Sequence, residues 1–134
     1  MDKKESLEIA VASIGTVAYK TTISSEGHTI IADEPESLGG GDTGLTPNAL
    51  LLASLGSCTA ITLRMYAERK MWVIPQINVK LELFQLDNGV LIERKLDIEG
   101  NITEEQKARM LQIANACPIH KLLTGKIDIT TTLV

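Results

Sequence analysis

The chain has 134 residues, of which 44% are apolar, 22% charged and 3% aromatic, with a net charge of −4. That length suits a single domain, 1–134, with a buried core. The acidic balance gives no general attraction to phosphate backbones or anionic membranes. The four aromatics, Tyr19, Tyr66, Trp72 and Phe84, are scattered and build no base-stacking platform, so nucleic acid is not the expected partner. The opening "MDKKESLEIA" has no apolar segment of signal-peptide type, which predicts a cytoplasmic chain. The longest apolar stretch, 49–55, falls short of the roughly 18 clean apolar residues of a membrane span, so no membrane partner is expected.

In chain order, residues 6–12 set Leu7, Ile9 and Val11 against Glu8, Ala10 and Ala12, an alternation that predicts a strand. A second strand is expected at 16–23, "SSEG" (24–27) as the turn, and "HTIIAD" as the third strand. The acidic "ADEPES" reads as solvated loop. "GGGDTG" reads as a flexible connector, because it lacks the Gly-Lys-Ser/Thr ending of a phosphate loop. A long helix is predicted from Thr46 as cap and Pro47 as first helical residue to about Lys70, where Arg69 and Lys70 suit the negative end of the macrodipole. Its first half is apolar nearly all round and needs cover on more than one side, which a homodimer would supply.

"INVKLELFQL" and "VLIERKLDIEG" alternate and are joined by "DNG", a hairpin signal. Thr103 and Gln106 form a capping box that opens a helix over about 104–115. "CPIHKLLTG" predicts a short helix ended by Gly125, and "KIDITTTLV" a final strand. Strands and helices fall in blocks, so the fold class is α+β with antiparallel sheets.

Chemistry centres on two cysteines, Cys58 and Cys117. Such a pair in a reducing compartment is catalytic, redox-sensing or merely buried rather than a permanent staple. Neither has metal-ligand spacing to partners, and no metal is expected. Pro118 fits a first helical position and makes Cys117 the N-cap, where backbone N–H groups lower a thiol's pKa; the alternative is an indifferent cap. Cys58, on the long helix, shares a face with Leu51, Ser54, Ile61, Thr62 and Met65 and could equally fill core volume. An active Cys58 needs a cation or donors, since an unperturbed thiol is only about 3% ionised at pH 7. Arg64 points about 120° away. In the second hairpin strand, Val90, Ile92, Leu96 and Ile98 form the apolar side, and Arg94 completes it. Either a bulge turns Arg94 outward, or a guanidinium on an apolar face seeks an anion such as a thiolate. Lys20 is a weaker candidate. His120, three residues after Cys117, is either a proton carrier or a satisfied histidine.

In order along the chain, "GHTIIADEP", "GGGDTGLTPNALLLASLGSCTAITLRMYAERK" and "ACPIHKLL" resemble the OsmC/Ohr family of thiol-dependent hydroperoxide reductases. The resemblance implies an intertwined homodimer with antiparallel sheets wrapped around long central helices and active sites at the subunit interface. It also implies Cys58 as the peroxidatic cysteine, Cys117 as the resolving one, an organic peroxide as substrate, and no cofactor beyond an external thiol or dithiol reductant. A binding protein for a small hydrophobic or thiol-reactive ligand is the alternative. Those peroxidases carry an arginine before the long helix and a glutamate near its start. This sequence has no arginine before Arg64 and places Asn48 and Ala49 there, so Cys58 is expected to be less ionised unless Arg94 or a residue of the other subunit supplies the positive charge.

Overall fold

The computed structural model describes residues 4–134. Its elements are β1 (Val11–Ile14), β2 (Thr21–Ser25), β3 (His28–Ala32), a 3₁₀ turn (Glu36–Leu38), α1 (Pro47–Lys70), β4 (Ile77–Leu86), β5 (Gly89–Ile98), α2 (Glu104–Ala114) and α3 (Pro118–Thr124). Both sheets are antiparallel and one helix is long, so the class is α+β. The chain divides into two compact units, Met1–Leu51 and Leu52–Val134.

In the first unit β1, β2 and β3 form a sheet in that order. Glu26 and Gly27 both have positive φ and close the two-residue turn between Ser25 and His28, the mirror-image geometry that matches strand twist. Beyond β3 the glycine-rich stretch is not a flexible connector, and "ADEPES" is not all solvated. Asp33 is only 2% exposed, and its carboxylate accepts from the N–H of Glu34 and from both the N–H and hydroxyl of Thr43. Led by the Thr43 hydroxyl, these donors hold the Asp33 carboxyl below its ordinary value despite burial. Thr46 caps α1 as expected, accepting from the N–H of Ala49 at 3.2 Å.

In the second unit β4 and β5 pair over ten consecutive positions, from Ile77↔Ile98 to Leu86↔Gly89. The core beneath them contains Leu63, Tyr66 and Ala67 of α1, Ile74, and Met110 and Ala114 of α2, flanked by Ile77, Leu96 and Ile98. Gly56 makes room for the Leu81 side chain: a Cβ there would lie 2.7 Å from Leu81 Cδ1. The Thr103–Gln106 capping box is present in full. Tyr66 accepts from Arg109 Nε at 2.9 Å, tying the end of α1 to α2.

By length and hydropathy alone α1 passes as a membrane span, with mean hydropathy 1.3 over its most apolar 18 residues. Counting uninterrupted apolar residues misses this. The helix nonetheless buries Leu55, Gly56, Thr59, Leu63, Tyr66 and Ala67 at helical spacing within the protein, and Arg64 donates to the Ile74 carbonyl at 2.7 Å.

Two expectations are corrected. The first two strands begin later than the alternation suggests, at Val11 and Thr21, because only there does each find a partner in register. "KIDITTTLV" forms no strand: among the described residues nothing pairs with 126–134, and Ile129 is 85% exposed. An alternating segment becomes a strand only with a neighbouring edge to bond to.

Candidate active site

The centre of the second unit gathers groups from α1, β5 and the α2–α3 junction. Pro118 at the first position of α3 leaves Cys117 as its N-cap, and Cys117 Sγ accepts from the His120 N–H at 3.3 Å. Cys117 is fully buried. Cys58 is half-buried, and both cysteines are free. They lie near each other without a bond: the Cys58 thiol is among the groups that lower the Cys117 pKa.

Arg94 stays on the apolar face. The β4–β5 ladder has no bulge, so Arg94 keeps its place in the half-buried row Ile92–Arg94–Leu96–Ile98, opposite Leu81. Its Nη1 donates to Thr59 Oγ1 at 3.0 Å. Its Nη2 donates to Asn115 Oδ1 at 2.9 Å and lies 3.0 Å from His120 Nδ1. A guanidinium can only donate, so His120 Nδ1 is the acceptor and the ring proton sits on Nε2.

Thr59 is buried between two acceptors. Its Oγ1 is 2.7 Å from the Leu55 carbonyl oxygen and 3.7 Å from Cys117 Sγ. One hydroxyl carries one proton. With Cys117 as a thiol, the proton of Thr59 serves Leu55. With Cys117 as a thiolate, it can swing to the sulfur while Arg94 holds the oxygen from the other side. Burial pushes the Cys117 thiol up. The His120 N–H, the Thr59 hydroxyl, the Cys58 thiol and the Arg94 charge outweigh it, and the net position lies below the ordinary thiol value. Among the described residues no three His, Cys, Asp or Glu side chains come together as a metal site.

A family model described as OsmC-like protein matches residues 39–132, more than two-thirds of the chain. The chain belongs to the OsmC-like protein family. The OsmC-like protein from Mycoplasma pneumoniae superposes with a TM-score of 0.75 at 25% identity, covering 100% of this chain and 99% of that one. An organic hydroperoxide resistance protein from Legionella pneumophila gives 0.63 at 20% identity, covering 94% and 95%. Another, from Elizabethkingia anophelis, gives 0.63 at 20% identity, covering 95% and 94%. No curated protein matches the chain.

Within this OsmC-like chain, the structure brings Cys58, Cys117 and Arg94 into one neighbourhood. Arg94 reaches it through Thr59, on the side of Cys117. Lys20 belongs to the first unit, where it follows the β1–β2 turn and its N–H donates to the Val17 carbonyl. Read from the sequence, Ser57 and Thr59 on either side of Cys58 are only candidate hydrogen-bond donors to that thiol, and Asn115 is passed over. The available signal for Thr59 was a hydroxyl next to a cysteine in the apolar half of the helix. Nothing local marks Asn115, whose role comes from the hairpin packing above it.

Proposed function

We propose that the chain reduces organic hydroperoxides with its two thiols, Cys58 attacking and Cys117 resolving. The observation that carries this reading is the half-buried Cys58 beside a buried Cys117 whose ionised form is stabilised by a helix N-terminus, a hydroxyl and a guanidinium one hydroxyl away. A peroxide can reach only a sulfur that solvent can reach, which favours Cys58 as the nucleophile. In the first step Cys58, as thiolate, attacks the distal oxygen of ROOH; the O–O bond breaks, RO⁻ takes a proton and leaves as ROH, and Cys58 becomes a sulfenic acid. In the second step the Cys117 thiolate attacks the Cys58 sulfur and expels hydroxide, which is protonated to water, leaving a disulfide. An external thiol or dithiol returns both sulfurs to the reduced state and is itself oxidised. Such a cycle suits a compartment that keeps thiols reduced, such as the cytoplasm. The likeness to structures described as organic hydroperoxide resistance proteins supports the same reaction class.

The proposal includes an intertwined homodimer. Leu51, Ile61 and Met65 on α1 are 41%, 55% and 60% exposed in the single chain, an apolar surface that a second copy would cover.

The test is direct. Cumene hydroperoxide should convert the wild type to a Cys58–Cys117 disulfide and leave a trappable sulfenic acid on Cys58 in Cys117→Ser. Both thiols remaining reduced under excess peroxide would overturn the reading.

A further inference from the structure

A cavity of about 470 Å³ opens beside β5, α2 and α3, inside the size range of small-molecule sites. Its walls include Leu55, Ile92, Leu96, Leu111 and Leu123. Its polar end is Arg94, Asn115 and His120, and neither cysteine lines it. Thr59, the partner of Arg94 Nη1, does not line it either.

The charge at that end is unbalanced. No carboxylate of the second unit forms a salt bridge with Arg94, although the side chain is half-buried in an apolar row. The cavity-side nitrogen, Nη2, rests on two neutral acceptors, the Asn115 amide oxygen and the His120 ring nitrogen. A carboxylate oxygen is a stronger acceptor for a guanidinium than either, and a partly buried cation with neutral partners gains most from an anion. His120, with its proton on Nε2, leaves a second donor among the groups at that end.

We propose that this cavity binds a medium-chain alkyl carboxylate, its chain against the leucine and isoleucine walls and its head on Arg94. One cation calls for a singly charged head, and an apolar wall with one polar end calls for a chain rather than a compact anion. Binding needs no peroxide group and no turnover. Its consequence for the sulfurs does rest on the thiol reading above: a head that shares the Arg94 charge leaves less of it for Cys117.

The experiment compares decanoate with decanol by isothermal titration calorimetry on the reduced protein at neutral pH. Decanoate should bind at least about tenfold tighter, the equivalent of one charge-assisted hydrogen bond. Arg94→Met should remove that preference while keeping weak binding of both. Leu111→Trp, at a wall position that is 59% exposed, should weaken binding of both ligands. Equal affinity for the two ligands, no binding of either, or full decanoate binding by Leu111→Trp would each overturn the proposal. Because neither ligand is a peroxide, these results stand apart from whether the protein turns over hydroperoxide.

Discussion

Thr59 Oγ1 lies 3.7 Å from Cys117 Sγ, and it has a single proton to give. Thr59→Val keeps the branched shape and removes that proton. The Cys117 thiolate then loses a donor, and Arg94 Nη1 loses its acceptor. The midpoint for thiolate formation, followed by ultraviolet absorbance in a Cys58→Ser background, should rise. Folding should weaken by about 1–3 kcal/mol, the cost of a buried group left unsatisfied. Thr59→Ser should restore most of both. An unchanged midpoint in Thr59→Val would remove the hydroxyl from the site's chemistry.

Arg94→Lys keeps a positive charge but lacks the planar fork that spans Thr59, Asn115 and His120. It should raise the Cys117 midpoint less than Arg94→Met does. Combined with Thr59→Val, Arg94→Met should add less than its separate effect, because the two act on the sulfur through one contact. Simple additivity in the double mutant would argue against a relay.

The pH dependence of Cys117 has a fixed sign. Its folded-state pKa is depressed, so the contacts that favour the thiolate are fully present above the unfolded thiol's pKa and are lost as pH falls through the lower folded value. Resolution of the Cys58 sulfenic acid should therefore remain fast into a pH range where an ordinary thiol is protonated. Stopped-flow measurement of disulfide formation against pH checks this; a midpoint at the ordinary thiol value would refute it.

In the first unit, Asp33 carries the same sign of linkage. Its carboxyl is held low by Thr43 and neighbouring N–H groups, so its contribution is present above the unfolded carboxyl pKa of about 3.9 and fades as pH drops through the folded one. Asp33→Asn should speed amide exchange at Glu34 and Thr43 near neutral pH and flatten its dependence on acid. Exchange as slow as in the wild type would show that the loop holds without the carboxylate.

Met110 is fully buried in the second unit's core. Met110→Ala should cost about 2–5 kcal/mol in denaturant unfolding, the range for a large-to-small change that leaves a cavity. A smaller loss would mean that α2 relaxes into the space.

What the sequence discloses here is what short-range chemistry writes down. Thr46 and Thr103 as caps, Cys117 before Pro118, and the turn at 87–88 each depend on a few adjacent residues, and the structure has all of them. "KIDITTTLV" alternates like a strand yet has no partner among the described residues, since pairing is not a property of the segment itself. The two readings of Arg94 differ by one bulge, which no pattern within 90–98 decides; the unbroken ladder with β4 does. Asn115 and the Thr59–Cys117 contact join residues 94, 59 and 117 through packing, and so have no local signature. Asp33 was hidden among acidic neighbours, because burial depends on Thr43 folding back ten residues later.

At Gly56 the helix bearing Cys58 and Thr59 offers no side chain to Leu81, whose cross-strand partner is Arg94. A single absent methyl group therefore leaves Leu81 its seat against the helix, at the strand position paired with Arg94. Restoring that methyl would force the end of the Leu81 side chain aside, in the row next to the guanidinium, without touching any reactive atom.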